Sequence, residues 1–176
     1  MMTGILLLSF LLTGCGSPEP QTGKKMSMYY INTAETKVEV HEQYLNTKTL
    51  DEQLDETMRY LSTTPEKLEY KAPLDMGFRV LDYEVEDGKL LINVDKAYSE
   101  LSPTTEVLVR AAIVRTLTQL PNVKYVGITV EDSQLYDNAG EMVGWMNADQ
   151  FINNDGNEIN TYELVKVKLY FANAAG

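Results

Sequence analysis

Carboxylates recur at every second position from residue 82 to residue 86, and paired carboxylates can serve as the acid and the base of a glycosidase. Asp82, Glu84 and Glu86 are the residues concerned. In a retaining glycosidase two carboxyl groups lie about 5 Å apart, and in an inverting one they lie farther apart. These three alternate with apolar side chains such as Tyr83, so in a strand they lie on the face away from the core. We therefore interpret them as solvated charges and predict no enzymatic activity.

His41 is the single histidine of the chain. A Ser-His-Asp triad would have to use it, and a zinc site would have one imidazole. It follows Val38-Glu39-Val40 and precedes Glu42, which is a polar setting. We predict an exposed residue at the end of a strand.

The run Asn153-Asn154-Asp155-Gly156-Asn157-Glu158 has the composition of a calcium loop. With Gly156 as the sixth loop position, the first and twelfth positions fall on Phe151 and Tyr162, and neither side chain supplies the carboxylate that such a loop needs. We predict a solvated turn there, and neither a metal nor a cofactor for the chain.

Eleven tyrosines and one tryptophan could present aromatic faces to a sugar or a protein. Tyr136 and Trp145 lie in a stretch rich in Asn, Asp and Gly, from Glu131 to Glu163. They are therefore the candidates for an exposed ligand or partner surface. Packing in the core or anchoring of the loop is the alternative for both.

The N-terminal residues predict lipid attachment. An uncharged apolar run from Ile5 to Leu12 is too short for a membrane span, which takes about 20 residues, and fits the apolar region of an export signal. It leads into Leu12-Thr13-Gly14-Cys15, the pattern of a lipobox, and Cys15 is the only cysteine. We expect residues 1–14 to be a cleaved signal and Cys15 to carry the lipid. The protein would then be extracytoplasmic, on the outer face of the cytoplasmic membrane.

The charge of the chain limits its partners. There are 26 acidic and 15 basic side chains, with a formal net charge of −11. Nucleic acids and anionic lipids or wall polymers repel such a surface. We expect protein partners or neutral ligands, and no nucleic acid. The polar run from Gly16 to Lys25 is predicted to be a flexible tether.

Periodicity predicts two strands and a helix after the tether. Met28 to Ile31 and Lys37 to Val40 are β-prone on either side of a turn at Asn32 to Glu35. Thr49 and Glu52 have the spacing of a capping box at the start of a helix. The helix would bury one stripe of apolar side chains, which are Leu50, Leu54, Met58 and Leu61.

A β-hairpin is predicted around Asp87-Gly88, because a two-residue type I′ turn favours this pair. The turn would place Val85 opposite Leu90, Tyr83 opposite Ile92, Leu81 opposite Val94 and Glu86 opposite Lys89. Phe78 and Val80 have the other parity, so we expect a bulge near Val80-Leu81.

A second helix is predicted from Ser102-Pro103 to Pro121, with Ser102 as the N-cap. Its buried face would consist of Val109, Ala112, Ile113, Leu117 and Leu120. A strand with Val126, Ile128 and Val130 follows. Val165 to Phe171 alternates regularly and predicts a last strand with one buried face.

These elements together resemble a known family. The segments that carry the resemblance are Tyr29-Tyr30-Ile31-Asn32, Gly77-Phe78-Arg79-Val80-Leu81, Val85-Glu86-Asp87-Gly88, Ile92-Asn93-Val94-Asp95 and Thr116-Leu117-Thr118-Gln119-Leu120-Pro121-Asn122-Val123. They resemble the GerMN domain of sporulation and spore-germination lipoproteins. Where family members have a second Asp-Gly turn, this chain has Glu131-Asp132-Ser133.

The resemblance implies an α+β fold with a mixed or antiparallel sheet, two helices on one face, and kinship to ring-building domains of envelope complexes. It implies no enzymatic activity. Family members often carry two copies, and Tyr170 to Ala175 echoes Tyr29 to Ala34. The last strand is therefore expected either to close the first domain or to begin a second copy at which the sequence stops.

The predicted organisation has five parts: a signal at 1–14, a lipidated cysteine and tether at 15–25, the GerMN-like domain at 26–135, a loop region at 136–163 and a strand at 164–176. We expect a membrane-anchored, non-catalytic interaction or assembly module that binds envelope or sporulation proteins or self-assembles. The alternative is an envelope lipoprotein that binds peptidoglycan or another neutral ligand, including as a hydrolase. A pocket uniting Trp145, Tyr136 and two carboxylates would favour this alternative.

Overall fold

The computed structural model describes residues 23–64, 69–154 and 158–160. Its first sheet is antiparallel and has the order β2-β1-β3, with β1 at Lys24–Asn32, β2 at Val38–Leu45 and β3 at Tyr70–Lys71. The predicted hairpin is confirmed. Its turn is held by the side chain of Asn32, whose Oδ1 accepts from the backbone N–H groups of Thr36 and Lys37.

The boundary of the predicted tether is wrong by two residues. Lys24 and Lys25 pair with Leu45 and Tyr44 at the start of β1. Pairing with β2 satisfies their backbone groups, which outweighs the polar composition that indicated a tether. Cys15 and the lipobox residues Leu12, Thr13 and Gly14 lie outside the described residues.

Helix α1 spans Leu50–Leu61 and begins as predicted. Thr49 and Glu52 form the reciprocal capping box, with each side chain accepting from the other residue's backbone N–H. Leu54, Met58 and Leu61 are buried, but Leu50 is exposed, so its place in the buried stripe was wrong. Leu50 is the first helical residue and lies one turn before the part of the helix that the core covers.

The second sheet has the order β4-β5-β6-β7, in which β4 is Val80–Glu86, β5 is Lys89–Val94, β6 is Tyr125–Val130 and β7 is Ser133–Gln134. β5 and β6 are parallel, and the other two pairings are antiparallel. The turn between β4 and β5 has positive φ angles at Asp87 and Gly88, as a type I′ turn requires.

The register of the β4–β5 hairpin is confirmed near the turn and wrong at its far end. Val85 faces Leu90, Tyr83 faces Ile92 and Glu86 faces Lys89. The predicted pair of Leu81 with Val94 does not form. Val80 faces Val94 instead, because the predicted bulge lies between Val80 and Asp82 and removes Leu81 from the ladder.

Helix α2 spans Pro103–Leu117 and connects the two parallel strands. Ser102 caps it and Pro103 is in its first turn, as predicted. Every residue of the predicted inward face is buried, but the helix ends at Leu117 and not just before Pro121, so Leu120 packs from the turn that follows it. Further residues on other sides of the helix are buried as well, namely Leu108, Ala111, Val114 and Thr116. The helix is buried on several sides because it contacts both sheets and α1.

The turn between β6 and β7 keeps its geometry without glycine. Glu131 and Asp132 have φ angles of 48° and 63° and connect the paired residues Val130 and Ser133. The turn is therefore of the primed type, in which both central residues are left-handed.

The domain continues past residue 135, where its end was predicted. Met146 and Phe151, in the predicted loop region, belong to the hydrophobic core. Met146 forms a bridge with Val126, and short elements follow: a 3-10 helix at Ala148–Gln150, β8 at Ile152–Asn154 and β9 at Glu158–Asn160. The predicted strand from Val165 to Phe171 and the echo at Tyr170 to Ala175 lie outside the described residues.

The molecule is an α+β protein with mixed and antiparallel strand pairing and two helices, as expected. None of the helices in the described part of the chain has the length and apolar character needed to cross a membrane.

Candidate functional site

Trp145 lies on the outer face of the second sheet, the face opposite the buried side chains of β5 and β6. A Cβ atom added at Gly127 would lie 2.8 Å from Cζ3 of Trp145 and 3.3 Å from Cδ1 of Leu91. The indole thus occupies the space that the glycine leaves open in the middle of β6. Even so, 43% of Trp145 is exposed.

Two further side chains lie on the same face of the sheet, and one of them contacts the indole. The ammonium group of Lys89 lies 5.3 Å from the centroid of the ring, which is a cation–π contact. Tyr125 is paired with Lys89 in the parallel register and is also exposed. We call the group formed by Trp145, Tyr125, Lys89 and Leu91 the Trp145 surface.

The acidic residues of β4 lie on this same outer face. Asp82, Glu84 and Glu86 pair with Asn93, Leu91 and Lys89, while the alternate positions pair with buried residues of β5. The prediction that these carboxylates point away from the core is confirmed. Their exposure leaves them in water, without the dry, shaped setting that tunes an acid and a base for catalysis.

Tyr136 lies elsewhere, at a small pocket with a volume of about 120 Å³. The pocket is formed around the start of α2 by Tyr98, Ser99, Leu101, Glu106, Leu135, Tyr136, Asp137 and Asn138. It brings Tyr136 together with two carboxylates, but Trp145 is not part of it. This pocket therefore does not unite the residues that would favour the alternative, a lipoprotein that binds peptidoglycan or another neutral ligand.

The floor of the pocket is a network of hydrogen bonds and charges. The hydroxyl group of Tyr98 donates to Oε1 of Glu106 over 2.9 Å. Nε of Arg110 is 2.6 Å from the same oxygen, an ion pair whose angles are not those of a hydrogen bond. Burial, followed by the charge of Glu106, raises the pKa of Tyr98 well above its usual value. With Arg110 and Tyr98 already bound to it, Glu106 has a structural role here.

The motif Thr116-Leu117-Thr118-Gln119 closes one edge of the first sheet. Oγ1 of Thr116 accepts from the backbone N–H of Tyr29 over 3.0 Å. Gln119 binds both backbone groups of Ser27 through its side-chain amide. Arg115 lies over the ring of Tyr29, 4.2 Å from its centroid. The end of α2 thus takes the place of a neighbouring strand along β1.

Asn93, in the motif Asn93-Val94-Asp95, organises the β6–β7 turn. Its Nδ2 donates to Asp82 and to Asp132, and its Oδ1 accepts from the backbone N–H of Asp132. Asn93 is buried, so these bonds hold Asp132, the second of the two left-handed residues of the turn, in place. Asp132 thus accepts a bond through its side chain that a glycine at this position would lack.

His41 is within β2 and not at its end, so that prediction is wrong. It faces Met28 in the ladder, and β2 continues to Leu45. Its side chain is half-buried and not exposed, because it lies on the face of the sheet that carries Met26 and Met28. Among the described residues, no three potential ligand side chains cluster as a metal site would need.

Sequence reasoning found Trp145 but missed its neighbours. Gly127 lies between Val126 and Ile128 of the predicted strand, and an isolated glycine in a strand is a signal of close approach by another group. Tyr125 and Lys89 gave no such signal, because only the parallel register places them side by side.

These elements define a small α+β domain with two main sheets and two α-helices in the described part of the chain. The chain belongs to the family Germane, described as sporulation and spore germination, which it matches over residues 27–136. The expected membership of the GerMN group is thereby confirmed.

Two solved structures support the same fold. The first GerMN domain of the sporulation protein GerM from Bacillus subtilis is 14% identical and superposes with a TM-score of 0.53, over 69% of this chain and 94% of that one. The tandem GerMN domains of the same protein are 17% identical, with a TM-score of 0.50, over 74% of this chain and 48% of that one. Comparison with curated proteins found no match.

Proposed function

We propose that this protein is an extracytoplasmic lipoprotein, anchored through Cys15, whose GerMN-like domain binds other envelope proteins in spore formation or germination and performs no catalysis. The observation that carries the proposal is the Trp145 surface. Its indole lies against Gly127 while 43% of the residue stays exposed. Trp and Tyr are the residues most often found at the energetic centre of protein interfaces.

The charge of the chain supports a protein partner. The surface joins one cation, Lys89, to two aromatic rings, and the acidic residues Glu84 and Glu86 border it on β4. A neutral or basic protein surface complements this arrangement, whereas nucleic acid and anionic wall polymers do not.

Site-specific photo-crosslinking in sporulating cells tests the surface. A photoreactive amino acid replaces Tyr125 in the full chain, and in a matched variant it replaces Leu50, which is exposed on α1. We expect one defined set of crosslinked envelope proteins from position 125, lost on Trp145→Ala, and none of these from position 50. Equal crosslinking from both positions, or crosslinks unaffected by Trp145→Ala, would contradict the proposed surface.

The anchor has a separate test. Cys15→Ser removes the thiol that would receive the lipid, and two acyl chains are enough for stable attachment to a membrane. We expect the variant to move from the membrane fraction to the soluble extracytoplasmic fraction, while Ser17→Cys in the same background does not restore attachment. Unchanged retention of Cys15→Ser would overturn the anchor without affecting the crosslinking result.

The non-catalytic part of the proposal is tested with peptidoglycan fragments. We expect purified protein to leave them intact. Turnover that is lost in Glu84→Gln or in Glu106→Gln would overturn this part and support the alternative of a peptidoglycan-binding lipoprotein in its hydrolase form.

A further inference from the structure

The outer edge of β4 is open within the described part of the chain. β4 is the last strand of its sheet and pairs only with β5 there. Glu86 and Lys89 close a two-residue hairpin, so Glu86 and Glu84 are the β4 residues that exchange backbone hydrogen bonds with β5. The alternate residues, Tyr83 and Val85, direct their backbone N–H and C=O groups away from β5. Val85 and Leu81 are exposed although they are apolar, as expected where a sheet lacks its next strand.

The other two edges of comparable length differ from this one. The edge of β1 is closed by Thr116 and Gln119. Among the described residues β2 is also an edge strand. Its glutamates, however, have basic partners within the same hairpin, because Lys25 pairs with Glu42 and Lys37 with Glu39. Of these edges, only that of β4 has acidic side chains, Glu84 and Glu86, that form no ion pair with any described residue.

We propose that residues 165–171 of this chain add to β4 as the next strand of the sheet. The segment reads Val165-Lys166-Val167-Lys168-Leu169-Tyr170-Phe171. If its valines and leucine extend the buried face beside Val85 and Tyr83, its two lysines lie on the outer face beside Glu84 and Glu86. Opposite charges in neighbouring strands are favourable, and alternation with a period of two matches both faces at once.

A second copy of β4 does not fit the same edge. Pairing two β4 strands would set Asp82, Glu84 and Glu86 against the same acids of the other copy, and like charges in facing positions are destabilising. The acidic side chains of β4 thus favour a basic strand as the next neighbour. They also oppose self-association through this edge, and charged side chains are one way in which proteins protect an edge strand.

Hydrogen exchange on the full chain tests the pairing. In the wild type the amides of Tyr83 and Val85 are expected to exchange slowly. Lys166→Glu/Lys168→Glu should speed their exchange by about tenfold or more, since a frayed strand loses its protection. Glu84→Lys/Glu86→Lys should do the same, and combining all four reversals should restore slow exchange.

The matched control reverses two exposed lysines elsewhere, Lys48→Glu/Lys96→Glu, and changes the net charge equally. We expect it to leave the exchange of Tyr83 and Val85 unchanged. Fast exchange in the wild type, no effect of the reversals at 166 and 168, an equal effect of the control, or no rescue by the fourfold variant would each overturn the proposal.

A disulfide distinguishes pairing within one molecule from exchange between molecules. Glu84→Cys and Lys168→Cys are combined with Cys15→Ser, so that the two new thiols are the only ones. We expect a crosslinked monomer on oxidation, because neighbouring strands bring Cα atoms within disulfide range. A crosslinked dimer in place of the monomer would overturn the proposal. Neither result depends on the Trp145 surface or on the lipid anchor.

Discussion

The side chain of Gln119 binds both backbone groups of Ser27. Its Nε2 donates to the Ser27 carbonyl oxygen over 2.7 Å, and its Oε1 accepts from the Ser27 N–H over 3.0 Å. One turn earlier, Thr116 accepts from the N–H of Tyr29. Two side chains of one helix end thus imitate the ladder of a neighbouring strand, and the edge of β1 is protected from pairing with another chain.

Thr116→Val is predicted to destabilise the fold by removing this acceptor. Thr116 is fully buried, so the N–H of Tyr29 would lose its partner where water does not replace it. Leaving a buried donor unsatisfied costs about 1–3 kcal/mol. Urea unfolding measures the loss. The control is Thr118→Val, because the Thr118 hydroxyl donates only to Val114 within the helix, and it should cost far less. Equal losses from the two variants would show that the hydrogen bond between Thr116 and the N–H of Tyr29 does not stabilise the edge of β1.

Gly127→Ala is predicted to displace Trp145. The added Cβ would lie 2.8 Å from Cζ3 of the indole, so the ring must move off the sheet. Because Trp145 is the only tryptophan, its fluorescence reports the change directly, and we expect emission shifted to longer wavelength. Gly144→Ala is the matched control, since nothing lies within 4 Å of a Cβ at that position. An unshifted emission in Gly127→Ala would show that the indole does not rest on the glycine.

Glu131→Gly is predicted to stabilise the protein. Glu131 has a φ of 48°, a left-handed conformation that costs an ordinary residue roughly 1–2 kcal/mol, whereas glycine adopts it freely. After the entropy that glycine loses on folding, we expect a gain of about 1 kcal/mol. Asp132→Gly should give no such gain, because it removes the acceptor of Asn93 Nδ2. Thermal unfolding of both variants measures the difference. A larger gain from Asp132→Gly would contradict the role of Asn93.

Glu56 is predicted to make stability depend on acid pH. Burial pushes the pKa of Glu56 up, but hydrogen bonds from Thr47 and Asn46 and the charge of Arg59 outweigh burial and leave the pKa below its ordinary 4.5. A carboxylate whose pKa is lowered by folding contributes its full stability above the unfolded pKa, and the contribution is lost as the pH falls through the folded pKa.

The measurement compares urea midpoints of the wild type and Glu56→Gln. At neutral pH we expect Glu56→Gln to lower the free energy of unfolding by about 1–3 kcal/mol, because the lost hydrogen bonds are those of a charged carboxylate. The difference should shrink as the pH falls below 4.5. Glu100→Gln, at an exposed side chain, should leave the midpoint unchanged. A difference independent of pH would show that the charge of Glu56 is not what stabilises its contacts with Asn46 and Thr47.

Local patterns in the chain determined most of the elements. The capping box at Thr49, the Asp87-Gly88 turn and the Ser102-Pro103 helix start were predictable because each depends on contacts between residues a few positions apart. The bulge near Val80 was predictable for the same reason, since a change of parity shows in the sequence. Its consequence for the pair with Val94 was not, because the position of the extra residue depends on how β4 packs.

Only the tertiary structure decided which distant residues meet. The roles of Gln119, Thr116 and Gly127 depend on partners that lie far away along the chain, namely Ser27, Tyr29 and Trp145, and no local pattern records such pairings. The same holds for the separation of Tyr136 from Trp145, two residues that the sequence grouped by composition alone. Periodicity and capping are properties of a short segment, whereas register and packing arise only when both sheets are assembled around α2.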